Sequence, residues 1–176
     1  DALYSFVWHS YCDWYVELIK PQLDGDATET RATAAAILAG SLRLLHPIMP
    51  YLTEELNEKI FASSDMMITE AWPDAVALPQ TDSPKEIGFL INLISDIRYI
   101  RSEMNVPLSA KPVLQLRGAS DLQTRSVEVN RAALLRLARL EGIETVETFG
   151  SGTARGTVDG VAIGLPRAGL LALDAA

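Results

Sequence analysis

The run Leu42-Arg43-Leu44-Leu45-His46-Pro47-Ile48-Met49-Pro50-Tyr51-Leu52-Thr53-Glu54-Glu55-Leu56 constrains the fold more than any other part of the chain. Pro47 has no backbone donor and steers His46 away from helical geometry, so an apolar helix ends there. Pro50 suits the first turn of a new helix, where its missing N–H would have no partner in any case. Two helices therefore meet at a very short corner, as they do in a compact helical bundle, and His46 is expected to hydrogen-bond within it.

Apolar periodicity supplies the other helices. Leu3, Phe6, Val7, Tyr11, Trp14, Tyr15 and Leu18 recur at three- and four-residue spacing, predicting a helix over 2–20 that Pro21 and Gly25 end. Asp26 and Glu29 read as a capping box for the second helix, the central element of the bundle. Tyr51, Leu52, Leu56 and Ile60 mark a third, with Glu54, Glu55, Glu58 and Lys59 facing water. Ser83-Pro84-Lys85-Glu86 starts a fourth, whose face of Ile87, Leu90, Ile91, Ile94, Ile97 and Ile100 is expected to pack on the first three before Pro107 closes it.

Beyond Pro107 the pattern changes. Val113–Leu116 reads as a strand, Ser120 with Gln123 as the cap of a helix to about Leu140, and 145–149, 154–158 and 161–165 as strands. Asp159-Gly160 is a hairpin turn signal, and Gly169–Leu173 could add a strand. The expected fold is mainly α: a helical bundle over 1–107, followed by a small α+β subdomain over 108–176.

The chain has 176 residues, a net charge of −8 and one cysteine. That cysteine, Cys12, allows no intramolecular disulfide and lacks CxxC spacing, so it reads as a packed small residue in a reducing, cytoplasmic setting. No apolar run is long enough to span a bilayer. Asp1-Ala2-Leu3 opens directly into helical sequence, so a piece of a longer protein is expected. The acidity argues against nonspecific nucleic-acid binding. It is uneven: residues 1–79 carry four Lys/Arg against twelve Asp/Glu, and residues 111–176 eight against seven. No catalytic constellation, metal-ligand spacing or phosphate-cradling glycine loop is apparent.

Three segments, in order, resemble a known family. They are Val7-Trp8-His9-Ser10-Tyr11-Cys12-Asp13-Trp14-Tyr15-Val16-Glu17-Leu18-Ile19-Lys20-Pro21, the double-proline corner, and Ile97-Arg98-Tyr99-Ile100-Arg101-Ser102-Glu103-Met104-Asn105-Val106-Pro107. The wording resembles the helical anticodon-binding domain of the class I aminoacyl-tRNA synthetases for valine, isoleucine and leucine. Order and spacing resemble the valyl-tRNA synthetase family most, with the isoleucyl family as the close rival. The resemblance implies the C-terminal, anticodon-recognising part of an ATP-dependent ligase. Its implied partners are the anticodon loop of valine tRNA and the rest of the synthetase. ATP and Mg would belong to a catalytic domain outside this chain, whose HIGH-type and KMSKS-type signatures are absent, so the fragment would be inactive and need no metal or cofactor. The family's bundle begins about one helix earlier, which would leave apolar surface open to self-association. A freestanding helical protein-interaction module is the alternative that the acidity favours.

Candidate RNA contacts follow from that implied function, each beside a plainer reading. Splayed bases are held by stacking and by edge hydrogen bonds. Tyr11 and Tyr15 offer a ring and a hydroxyl, whereas Trp14 is expected in the core. Lys20 is either a helix-end charge or a phosphate contact. Ile68, after Met67, could present apolar surface to a base, while Trp72-Pro73 clamps a loop. Arg98 and Arg101, three apart on one helix face, either pair with acids or reach the RNA backbone.

Overall fold

The computed structural model describes residues 1–63, 65–75 and 81–166. The chain divides into two compact units, Asp1–Pro79 and Gln80–Ala176. The boundary expected near residue 108 thus falls inside the second unit.

The first unit is helical. Helix α1 covers residues 2–19, but only its end turns, Ala2–Ser5 and Val16–Ile19, are α-helical. Phe6–Tyr15 is wound as a π-helix, with N–H groups bonding five residues back, an uncommon winding at this length. Residues four apart stack along this helix: Tyr4 with Trp8 at 6.0 Å and Tyr11 with Tyr15 at 5.6 Å. The buried aromatic is Tyr11, while Trp14 is half-buried, the reverse of the expected ranking. Cys12 is exposed, not packed.

Helix α2 (Thr28–Leu45) packs against both α1 and α3 (Pro50–Phe61). Its cap lies one residue later than expected: Ala27 precedes it, and Asp26 accepts from the Thr28 hydroxyl at 2.9 Å. Helix α3 departs further from expectation. Tyr51, Leu52 and Ile60 are exposed, and the residues it buries are Thr53 and Asn57. Thr53 satisfies its hydroxyl locally. The buried Asn57 amide nitrogen finds no partner among the described residues, a costly arrangement. The 3-10 turn Met67–Thr69 packs on α3.

The second unit is α+β. Helix α4 (Ser83–Glu103) stops where Asn105 adopts a left-handed φ of 51° and the Val106 N–H bonds the Arg101 carbonyl at 2.9 Å, a left-handed helix stop. Strand β1 (Val113–Arg117) leads into α5 (Asp121–Val129) and α6 (Arg131–Leu137), broken apart at Asn130 where one helix is expected. Strands β2 (Gly142–Thr145), β3 (Thr153–Val158) and β4 (Val161–Pro166) follow. The sheet order is β2-β1-β4-β3, with β1 parallel to β2 and β4 antiparallel to β1 and β3. The helices α5 and α6 form the crossover that a parallel pair requires.

Local signals held where the pairing is local. The Ser120–Gln123 capping box is present, and Asp159-Gly160 forms the β3–β4 turn with both residues at positive φ, as such two-residue turns need. The expected strand over 145–149 lies earlier, at Gly142–Thr145, and Gly169–Leu173 lies outside the described residues. Leu90, Leu93, Ile94 and Ile97 of α4 are fully buried, and the helix meets β3, α5 and α6. Its apolar face thus serves the core of the second unit, where Leu114, Leu134, Ile163 and Leu165 are also sealed.

Ile94→Asp is expected to unfold this unit, because a carboxylate would replace apolar contacts at a site with no solvent access, costing more than about 3 kcal/mol. Ile87→Asp, on an exposed stretch of the same helix, should change stability by less than about 1 kcal/mol. Urea melts of the two variants check this. Similar loss in both would show that the helix face is assigned wrongly.

Candidate nucleic-acid interface

The double-proline corner builds a groove on the first unit. Thr53, one turn into α3, bonds with its hydroxyl to the Met49 carbonyl at 3.0 Å and to the Pro50 carbonyl at 3.1 Å. His46 Nδ1 lies 2.8 Å from the same oxygen. A hydroxyl has one proton to give. That proton goes either to a carbonyl or to His46 Nδ1, according to the imidazole tautomer, and His46 Nε2 lies 3.8 Å from the Glu54 carboxylate. The corner is thus locked by His46, as the sequence suggests, with Thr53 as its unanticipated partner.

Glu54 does not simply face water. Its carboxylate accepts the backbone N–H of Met67 at 3.0 Å and of Ile68 at 3.4 Å, capping the 3-10 turn from another helix as an acidic N-cap does. Arg43 of α2 pairs with Glu70 just beyond that turn. Two ionic ties, one from each helix of the corner, therefore hold residues 67–70 over it. The result is an open groove of about 440 Å³ lined by Arg43, His46, Pro47, Pro50, Met67, Ile68, Glu70, Ala71 and Trp72. Met67 is buried beneath it, while Ile68 is 71% exposed and Trp72 62% exposed. The groove offers an apolar side chain and an aromatic face beside a paired guanidinium, a mixture suited to flat heteroaromatic rings.

The sequence-derived candidates are dispersed. Ile68 lies in this groove. Tyr11 is 9% exposed and donates its hydroxyl to the Ala34 carbonyl at 3.1 Å. Burial pushes its phenol pKa up, with neighbouring Tyr15 and Cys12 adding to the shift. Tyr15, half-buried, stacks on it, and burial raises its pKa too. Lys20 is exposed and pairs with Glu17. Arg98 and Arg101 line a separate cleft on the second unit. Arg98 donates twice to the Leu137 carbonyl, at 3.2 and 3.1 Å, and Arg101, 7% exposed, donates to the carbonyls of Arg139, Pro107 and Ala110. Sequence reasoning missed Arg43, Glu54 and Glu70, whose partners lie 13 to 27 residues away, and it read Trp72 only as a clamp. Among the described residues, no group of three or more His, Cys, Asp or Glu could hold a metal ion, and no helix is long and apolar enough to cross a membrane.

An α-helical unit carrying an aromatic and apolar groove, followed by an α+β unit, defines the class of architecture. The comparisons give the family. A model described as the anticodon-binding domain of tRNA ligase matches residues 1–117, and the chain belongs to that family. A valine–tRNA ligase of Caulobacter vibrioides is 45% identical over 162 residues, covering 87% of this chain and 18% of the relative. Those of Rhizorhabdus wittichii and Rhizobium meliloti are 39% and 38% identical over 182 residues, covering 99% of this chain and 20% and 19% of the relatives. The chain thus spans about a fifth of the length of these ligases.

Glu54→Ala should release the 67–70 turn and lower stability by about 1–2 kcal/mol, the scale of a lost helix cap. Glu54→Gln keeps one acceptor and should recover part of that. Thermal melts of both variants, with amide exchange at Met67 and Ile68, check the assignment. Unchanged protection at those two amides in Glu54→Ala would refute it.

Proposed function

We propose that this chain is the C-terminal anticodon-reading part of a cytoplasmic valine–tRNA ligase, and that it holds unstacked anticodon bases in the groove beside the double-proline corner. The observation that carries this reading is the groove itself, within residues that match the anticodon-binding family. Trp72 gives a base a stacking face, Ile68 an apolar wall, and Arg43, His46 and Glu70 lie where base edges would be read. Internal ion pairing of Arg43 with Glu70 leaves the groove without a large positive field. That favours bases over phosphates. Of the other candidates, Tyr11 is assigned to packing and Tyr15 supports it. Lys20 is a charge held beside Glu17, and Arg98 and Arg101 are assigned away from the bases.

The remaining four fifths of the ligase would hold ATP and Mg and carry out aminoacylation. The same remainder would complete the bundle and cover the exposed Tyr4, Trp8, Ile48 and Tyr51. Without it, those residues give the isolated chain a route to self-association.

Trp72→Ala should weaken binding of a valine anticodon stem-loop by about 1–3 kcal/mol, the worth of one stacked base, with little change in melting temperature because the ring is largely exposed. Wild-type chain should prefer the valine loop to one of equal length with altered second and third anticodon letters. Fluorescence titrations measure both, and equal affinity for the two loops would overturn the reading. In pyrophosphate exchange with valine and ATP the isolated chain should stay at background, and exchange above it would overturn the assignment of catalysis to the rest of the ligase.

A further inference from the structure

We propose that the cleft between the end of α4 and the end of α6 binds the sugar-phosphate backbone of RNA, through Arg139 at its surface with Arg101 as the buried charge behind it. The inference rests on RNA being the ligand, as proposed above, but on a different unit and a different part of the molecule recognised.

Charge distribution comes first. Residues 1–79 carry all of the net charge of −8, while residues 80–176 hold eleven basic and eleven acidic side chains. The second unit is thus the half of the chain on which a polyanion meets no net repulsion. Within it, a cleft of about 750 Å³ has three arginines in its lining and no acid. Arg101 and Arg139 make no ion pair among the described residues. Arg101 donates to three carbonyls, as above, and Arg139 donates to the Leu108 carbonyl at 3.2 Å. Carbonyl oxygens satisfy hydrogen bonds without cancelling a full positive charge. The two guanidiniums also repel: burial, and then the charge of Arg139, push the Arg101 pKa below its usual range. An anion entering the cleft relieves both costs. Arg139 and Asn105 each sit at a left-handed φ, 53° and 51°, so both turns bordering the cleft are sharply defined. Ser102 and Asn105 add exposed donors along the wall.

This lining suits phosphate oxygens, which accept from forked guanidiniums and amides at many angles. It offers no aromatic face for a base. Contacts here would be indifferent to sequence, and would add a salt-dependent component that the anticodon groove lacks.

The test uses the 176-residue chain and two RNA hairpins with the same stem, one with the valine anticodon loop and one with an altered loop, titrated at several salt concentrations. Asn105→Asp is the principal variant. It is isosteric, tolerates the left-handed backbone, and places a carboxylate beside the arginines. It should weaken both hairpins alike, about five- to ten-fold, and reduce the salt slope by about one. Arg139→Gln should do the same, with inorganic phosphate competing less well against its residual binding. A folded Asn105→Asp protein with unchanged affinity and slope overturns the cleft, as does failure of the wild-type chain to bind either hairpin. If wild type binds both hairpins equally and Asn105→Asp weakens both, the cleft stands and the anticodon reading falls.

Discussion

The carboxylate of Glu54 is the tie on which the proposed RNA site depends. It sits on the first turns of α3, within reach of His46 behind it and the Met67 and Ile68 amides in front. The helix corner and the segment that returns over it are thereby linked through one side chain. Arg43 and Glu70 add a second tie from α2. A groove walled by an irregular segment would ordinarily vary in width. Charge-assisted bonds from two helices fix this wall, so that Ile68 and Trp72 are presented without being buried. Preorganisation of this kind lowers the ordering cost of binding.

The chain divides its chemistry between its two units. The helical unit is acidic overall and offers rings and apolar side chains. The α+β unit is balanced in charge and places three of its arginines at one cleft. Reading bases and gripping phosphates are different physical tasks: one needs flat, partly apolar surfaces, and the other uncompensated positive charge. Assigning one to each unit reconciles an acidic protein with the proposed RNA partner. The net charge of the whole chain, which by itself argues against nucleic acid, averages over two surfaces of different character.

Much of the fold was legible in the residues, and the failures have physical causes. Pro47 and Pro50, Ser120 with Gln123, and Asp159-Gly160 act through bonds a few residues long, so the sequence displays them. Tyr11 is buried because its ring and hydroxyl reach α2, where the hydroxyl donates to the Ala34 carbonyl 23 residues away, a partner that spacing along one helix does not reveal. The isoleucine face of α4 was recognised as buried, but an apolar stripe does not name its partner, and that partner is a sheet formed 10 to 60 residues later. On α3 the hydrophobic pattern pointed to Tyr51, Leu52 and Ile60, whereas Thr53 and Asn57 are buried. Thr53 is inside because the His46 corner needs a hydroxyl there. Within the candidate site, Ile68 was visible as an apolar residue in a polar loop. Glu54 and Arg43 were not, since nothing local distinguishes a carboxylate that caps a distant turn from one that faces solvent.

The most direct test of the account is amide hydrogen exchange across the chain, with and without a valine anticodon stem-loop. Exchange should slow in two separate places: residues 66–72 with the adjoining 43–50 corner, and residues 102–108 with 137–140. Only the first should be lost when the anticodon letters are changed. Protection confined to α1, or spread without regard to the loop sequence over the corner, would contradict it.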